Sequence, residues 1–107
     1  MSLADLRALF FGEEPFTVID VRSISEFCDG HIEGALRIPY EELLSFVSSL
    51  PKDSNFITVS NGGTGRSRSA ADLLRSHGWF NARRLEGGYY QWSAAGLPSI
   101  ESGLLAS

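Results

Sequence analysis

Two short runs, "FTVID" at 16–20 and "NFITVS" at 55–60, constrain the fold more than anything else in the chain. Both are β-branched and aromatic, and too short for helices. Their apolar residues run on without alternating, and a strand buried on both faces belongs inside a covered, parallel sheet. The segments that follow agree. Ser23 and Glu26 have capping-box spacing, so "ISEFCDG" is expected as a short helix ended near Gly30. Ser67 to His77 places Ala70, Ala71 and Leu74 on one helical face, with Gly78 as the cap. "ALRIP" reads as a short strand stopped at Pro39, and "ARRLE" as a last strand. "LADLRALF" before Gly12, "YEELLSFVSSL" before Pro51 and "YYQWSAA" before Gly96 complete the helices. Strands alternating with helices predict an α/β fold, a parallel sheet of four to five strands with helices on both faces. A length of 107 residues suits one core. The expectation is a single domain over 1–107, its core about 3–98 and 99–107 a tail or linker.

Charge and composition narrow the function classes. A net charge of −4 argues against broad affinity for nucleic acid or acidic membranes. No apolar run approaches the roughly 18 residues of a membrane span. Cys28 is the only cysteine, which excludes an internal disulfide and fits a reducing, cytoplasmic setting. The two histidines and one cysteine are too scattered for a zinc site, and no cofactor is expected.

In open α/β sheets, ligands bind beyond the carboxyl ends of the strands. The loop "SNGGTGRS", Ser60 to Ser67, leaves the carboxyl end of "NFITVS" and enters a helix. Gly62, Gly63 and Gly65, with Asn61 and Thr64 among them, let successive N–H groups turn inward as a nest beside a helix dipole. Arg66 can close such a cradle with a bidentate fork on an oxyanion. The same composition also fits an ordinary glycine-rich turn with an exposed arginine.

Longer motifs carry a resemblance. "VIDVRSISEFCDGHIEGALRIP", "SNGGTGRSRSAADLLRSHGW", "LEGGYYQW" and "AAGLP", in that order, make the chain resemble the rhodanese (sulfurtransferase) domain family over nearly its whole length. The matching positions include Asp20, Arg22, Glu26, His31, Gly34, Pro39, Leu85, Gly87, Gly88 and Trp92. The family's first edge strand is shortened before "LADL". The resemblance implies structural duties for Asp20, Arg22, Glu26 and His31, with Arg22 and Glu26, four apart, expected to pair locally. Cys28 is expected to be an inert thiol. Tyr89, Tyr90 and Trp92 are expected to pack, one of them lining the site.

The family's loop holds a nucleophilic cysteine at the tip of the central strand, and this loop has none. Ser60 takes that place if the count runs forward along the strand. Asn61 takes it if a six-residue loop is counted back from Ser67. The forward count is preferred, and it resembles the seven-residue loop of phosphatases. An unactivated serine cannot store sulfane sulfur. The resemblance therefore implies a catalytically inactive rhodanese-like domain, serving as an anion- or partner-binding module within a longer, multi-domain sulfurtransferase. The expected partner is a small oxyanion (sulfate, phosphate or thiosulfate-like) or a protein, not nucleic acid or a membrane. The alternative is a phosphatase-like oxyanion-binding domain.

Overall fold

The computed structural model describes residues 1–101. Helix α1 (Leu3–Phe10) precedes strand β1 (Thr17–Asp20), helix α2 (Ile24–Asp29), and the short strands β2 (His31–Ile32) and β3 (Leu36–Arg37). A 3₁₀ turn at Tyr40–Glu42 feeds α3 (Leu43–Val47), then β4 (Phe56–Val59) and α4 (Arg66–Ser76). The last elements are β5 (Arg83–Arg84), α5 (Gly88–Ala94) and β6 (Ser99–Ile100). Four strands form a parallel sheet in the order β3-β1-β4-β5, and β2 pairs antiparallel with β6. This is the α/β fold expected, at the lower of the two strand counts.

The two central strands show why both sheet faces are covered. Ile19 and Phe56 enter one core with Leu43, Val47, Ala70 and Leu74, from α3 and α4. Their neighbours Val18 and Ile57 enter the opposite core with Leu6 and Trp92, from α1 and α5. Strand side chains alternate in direction, so a strand with successive apolar residues, as at Val18–Ile19 and Phe56–Ile57, must be covered on both faces. Burying a Leu, Ile or Phe side chain contributes roughly 1.5–3 kcal/mol, so these two layers supply the main driving force for folding. Local signals set the helix starts. Ser2 with Asp5, and Ser23 with Glu26, both form reciprocal capping boxes.

Three segments differ from expectation. "YEELLSFVSSL" yields only the 3₁₀ turn and a five-residue helix. Neither end supplies a side-chain N-cap, and the Ser48 hydroxyl donates to the Ser45 carbonyl, a local bond that competes with helix continuation. The second difference is β2, which depends on a partner about 68 residues away in sequence and has no local signal of its own. Third, Ser99 and Ile100 are not tail, because they pair with β2. Pro98 anchors them there: its carbonyl accepts from Trp92 Nε1 at 2.9 Å and from the Glu33 N–H at 3.1 Å. The remainder of the segment read as a tail, 102–107, lies outside the described residues. Among the described residues no helix is long and apolar enough to cross a membrane.

Candidate functional site

Parallel register builds the site. Asp20 is paired with Arg37 on one side and with Val59 on the other, so three strands end in one row. The chain continues from Val59 into Ser60, and the loop to Ser67 therefore rises from the centre of that row. Two glycine positions hold it down. A Cβ on Gly63, whose φ is +83°, would stand 2.5 Å from the Gly87 nitrogen. One on Gly88, φ +60°, would stand 2.4 Å from the Asn61 carbonyl oxygen. Only glycine permits so close an approach between the loop and the start of α5.

Within the loop, most carbonyl acceptors are spent and the backbone donors are not. The carbonyls of Ser60 and Asn61 accept from the N–H groups of Tyr89 and Tyr90 at 2.9 and 3.1 Å. Gly63 O accepts from Arg84 Nη1 at 2.6 Å, and Gly65 O from the Ser69 N–H at 3.0 Å. Ser67 O accepts from Thr58 Oγ1 at 2.7 Å. By contrast, none of the backbone N–H groups from Asn61 to Arg68 has a protein acceptor among the described residues. Such an excess of donors at a helix N-terminus favours negative charge.

Ser60 is buried at the strand tip. Its Oγ lies 3.0 Å from the Thr64 carbonyl oxygen and 2.8 Å from Ser67 Oγ. A carbonyl only accepts, so the Ser60 proton points at Thr64 and the Ser67 hydroxyl donates to Ser60. Among the described residues, no histidine, lysine or carboxylate lies within hydrogen-bond reach of Ser60 Oγ to take that proton.

Charged groups around the loop form one chain of contacts. Asp20 and Arg22 are both almost fully buried and joined by Nη2 to Oδ2 at 2.8 Å and Nε to both oxygens. Arg22 Nη2 also donates to Gly30 O at 2.6 Å, and its guanidinium lies 4.5 Å from the Tyr89 ring centroid. Arg22 Nη1 reaches Asn61 Oδ1 at 3.3 Å, and Asn61 Nδ2 donates to Glu26 Oε2. Glu26 in turn receives Arg66 Nη1 at 2.8 Å and Nη2 at 3.3 Å. The Arg66 guanidinium and the Ser23 backbone N–H hold the Glu26 carboxyl far below the ordinary carboxylate range. Glu26 likewise pushes Arg66 up.

Two expectations are thereby corrected. Arg22 does not pair with Glu26, because the nearer carboxylate of Asp20 takes its fork in the protein interior. Arg66 places its fork on the Glu26 carboxylate instead of leaving it open above the loop. Asn61 is the bridge between the two pairs, its amide donating to an anion and accepting from a cation.

The other singled-out residues fall around this centre. His31 is buried, its Nδ1 2.9 Å from Phe27 O and its ring stacked on Phe27 at 3.7 Å. Cys28 is half-buried on α2. Trp92 is core, Tyr90 is exposed, and Tyr89 is the aromatic that covers Arg22. Sequence reasoning missed Arg37, which donates to the Arg22 carbonyl, and Arg84, which donates to Gly63 O. Arg37 was reachable only through the β1–β3 register, and Arg84 carried no signal.

Comparisons agree with this architecture. The family profile described as "Rhodanese-like domain" matches residues 2–95. "Protein HIGH ARSENIC CONTENT 1, mitochondrial" of Arabidopsis thaliana is 37% identical over 91 residues, covering 74% of this chain and 53% of that protein. The chain thus spans about half the length of that relative. "Thiosulfate sulfurtransferase GlpE" of Shewanella oneidensis is 31% identical over 78 residues, 73% of this chain and 76% of that one. The solution structure of the rhodanese-like domain of the Alr3790 protein from Anabaena sp. superposes with a TM-score of 0.83 at 35% identity. That superposition covers 100% of this chain and 82% of the other. Motif order, strand order and matched length lead to one conclusion: the chain belongs to the rhodanese-like domain family.

Proposed function

We propose that this domain is a catalytically silent member of its sulfurtransferase family, and that its loop recognises a small oxyanion or a partner presenting one. One observation carries the reading. The side chain at the strand tip is a serine whose hydroxyl already donates to Thr64 O and accepts from Ser67. Sulfur transfer by this family's chemistry needs a thiolate that forms a persulfide and then yields its outer sulfur. A protonated hydroxyl without a base does neither. The inward Thr64 carbonyl would also oppose a negative charge at position 60. The free N–H groups of residues 61 to 68 support the binding half of the reading. A phosphatase-like role is not favoured, since it needs the same missing thiol and the relatives named above include a thiosulfate sulfurtransferase.

Thiosulfate:cyanide turnover tests the silent half, with no thiocyanate above background expected. Ser60→Cys alone is expected to leave turnover absent, because the Thr64 carbonyl still faces the thiol. Cyanide-dependent thiocyanate production by the unmodified protein, lost on Cys28→Ser, would show a different nucleophile at work. Titrating sulfate against the amide resonances of Gly62, Gly63 and Gly65 tests the binding half. Shifts confined to these amides are expected, and their absence sinks the anion reading.

A further inference from the structure

Beside the loop, between the ends of β1 and β3, lies a cleft of about 530 Å³. Val21, Pro39 and Tyr40 give it an apolar floor, while Arg37, Arg66 and Glu41 bring charge to it. The two arginines are not equivalent. Both terminal nitrogens of Arg66 are directed at the Glu26 carboxylate, so its charge is already answered. Arg37 is half-buried and donates Nε to the Arg22 carbonyl at 3.0 Å, which fixes the plane of its guanidinium. Its terminal nitrogens have no protein acceptor among the described residues. Asp20, its neighbour in register, cannot answer them, because Arg22 occupies that carboxylate.

We propose that Arg37, not the loop arginine, is the anchoring cation of this cleft, and that the cleft takes an organic monoanion. The occupant has one oxyanion head group on an apolar or aromatic body. A fixed, partly desolvated guanidinium with two free nitrogens matches a bidentate oxyanion. Tyr40 is 44% exposed and offers an apolar face to the body of such a ligand. Exposed Glu41 at the rim leaves room for one negative charge and disfavours a second. The inference rests on the non-catalytic, ligand-binding reading above and names the ligand class for that end of the sheet.

The test uses p-toluenesulfonate as the organic anion and inorganic sulfate as the bare one. Calorimetry and amide shifts are recorded on the unmodified chain, Arg37→Gln, Arg66→Gln and Tyr40→Ala. Arg37→Gln is expected to weaken toluenesulfonate at least about tenfold, the scale of a lost charge-assisted bidentate contact, and Arg66→Gln no more than about threefold. Tyr40→Ala leaves the Arg37–Arg22 contact intact. It should weaken toluenesulfonate several-fold and leave sulfate unchanged. A loss with Arg66→Gln equal to or greater than that with Arg37→Gln overturns the proposal. So does equal weakening of both anions by Tyr40→Ala. If sulfate shifts the loop glycines but toluenesulfonate does not bind, the cleft inference falls and the loop reading stands. If neither anion binds, both fall.

Discussion

The domain contains the same ion pair twice, in two settings. Asp20–Arg22 has side-chain exposures of 1% and 3%, whereas Glu26–Arg66 has 32% and 48%. Both are multidentate, and Asn61 joins them. The buried pair gains in Coulomb attraction but has lost its water, so it is tolerable only while every partner is present. The exposed pair keeps much of its hydration and contributes little to stability. The two settings divide the labour. The inner pair fixes the end of β1 from within the protein, and the outer pair ties α2 to the start of α4.

The comparison breaks most visibly at Arg22. Arg22→Ala leaves the Asp20 carboxylate buried without a cation and is expected to cost about 3–5 kcal/mol in urea unfolding. A loss below 1 kcal/mol would mean that burial does not separate the two pairs. Asn61→Ala removes the bridge but neither pair. About 1–2 kcal/mol is expected from the unsatisfied groups it leaves on Arg22 and Glu26. A value near zero would show that the pairs are independent.

Glu26→Gln should cost less, up to about 1 kcal/mol, because glutamine keeps an oxygen for the Ser23 cap and only the exposed pair is lost. The difference should shrink further in about 1 M salt, where charges are screened within roughly 3 Å. A salt-independent loss would assign Glu26 to the inner, structural set. The smallest effect is in acid. The folded-state pKa of Glu26 is depressed, so its contribution is present above the ordinary carboxylate pKa of about 4.3 and is lost as pH falls below it. The stability gap between the unmodified chain and Glu26→Gln should therefore narrow steadily from about pH 5 downward. A gap that widens there would reverse the sign of the argument.

How far the site was legible follows from the range of each interaction. The capping box of Ser23 and Glu26 spans three residues and could be read directly. The second duty of Glu26, binding Asn61 and Arg66, spans 35 and 40 residues and could not. A four-residue spacing suggested Arg22 as the partner instead. Spacing rules apply to one helix face, however, and Arg22 precedes α2 on an extended turn. Its side chain folds back on Asp20, whose oxygen also accepts the Arg22 backbone N–H at 3.0 Å. The position of Ser60 at a strand end was readable from "NFITVS". The inward turn of the Thr64 carbonyl, which accepts the Ser60 hydroxyl, was not.

Residues close together in the chain establish the elements and their order. Uninterrupted apolar strands, capping residues and terminating glycines act within a few residues and leave little choice about a covered parallel sheet. Which charges meet follows from long-range packing. Parallel register set Asp20 between Arg37 and Val59, and packing of the loop on Gly87 and Gly88 turned its carbonyls toward protein and its N–H groups away. Backbone propensity acts locally. A charged side chain instead takes its partner from whichever groups the folded chain brings within about 4 Å, however distant in sequence.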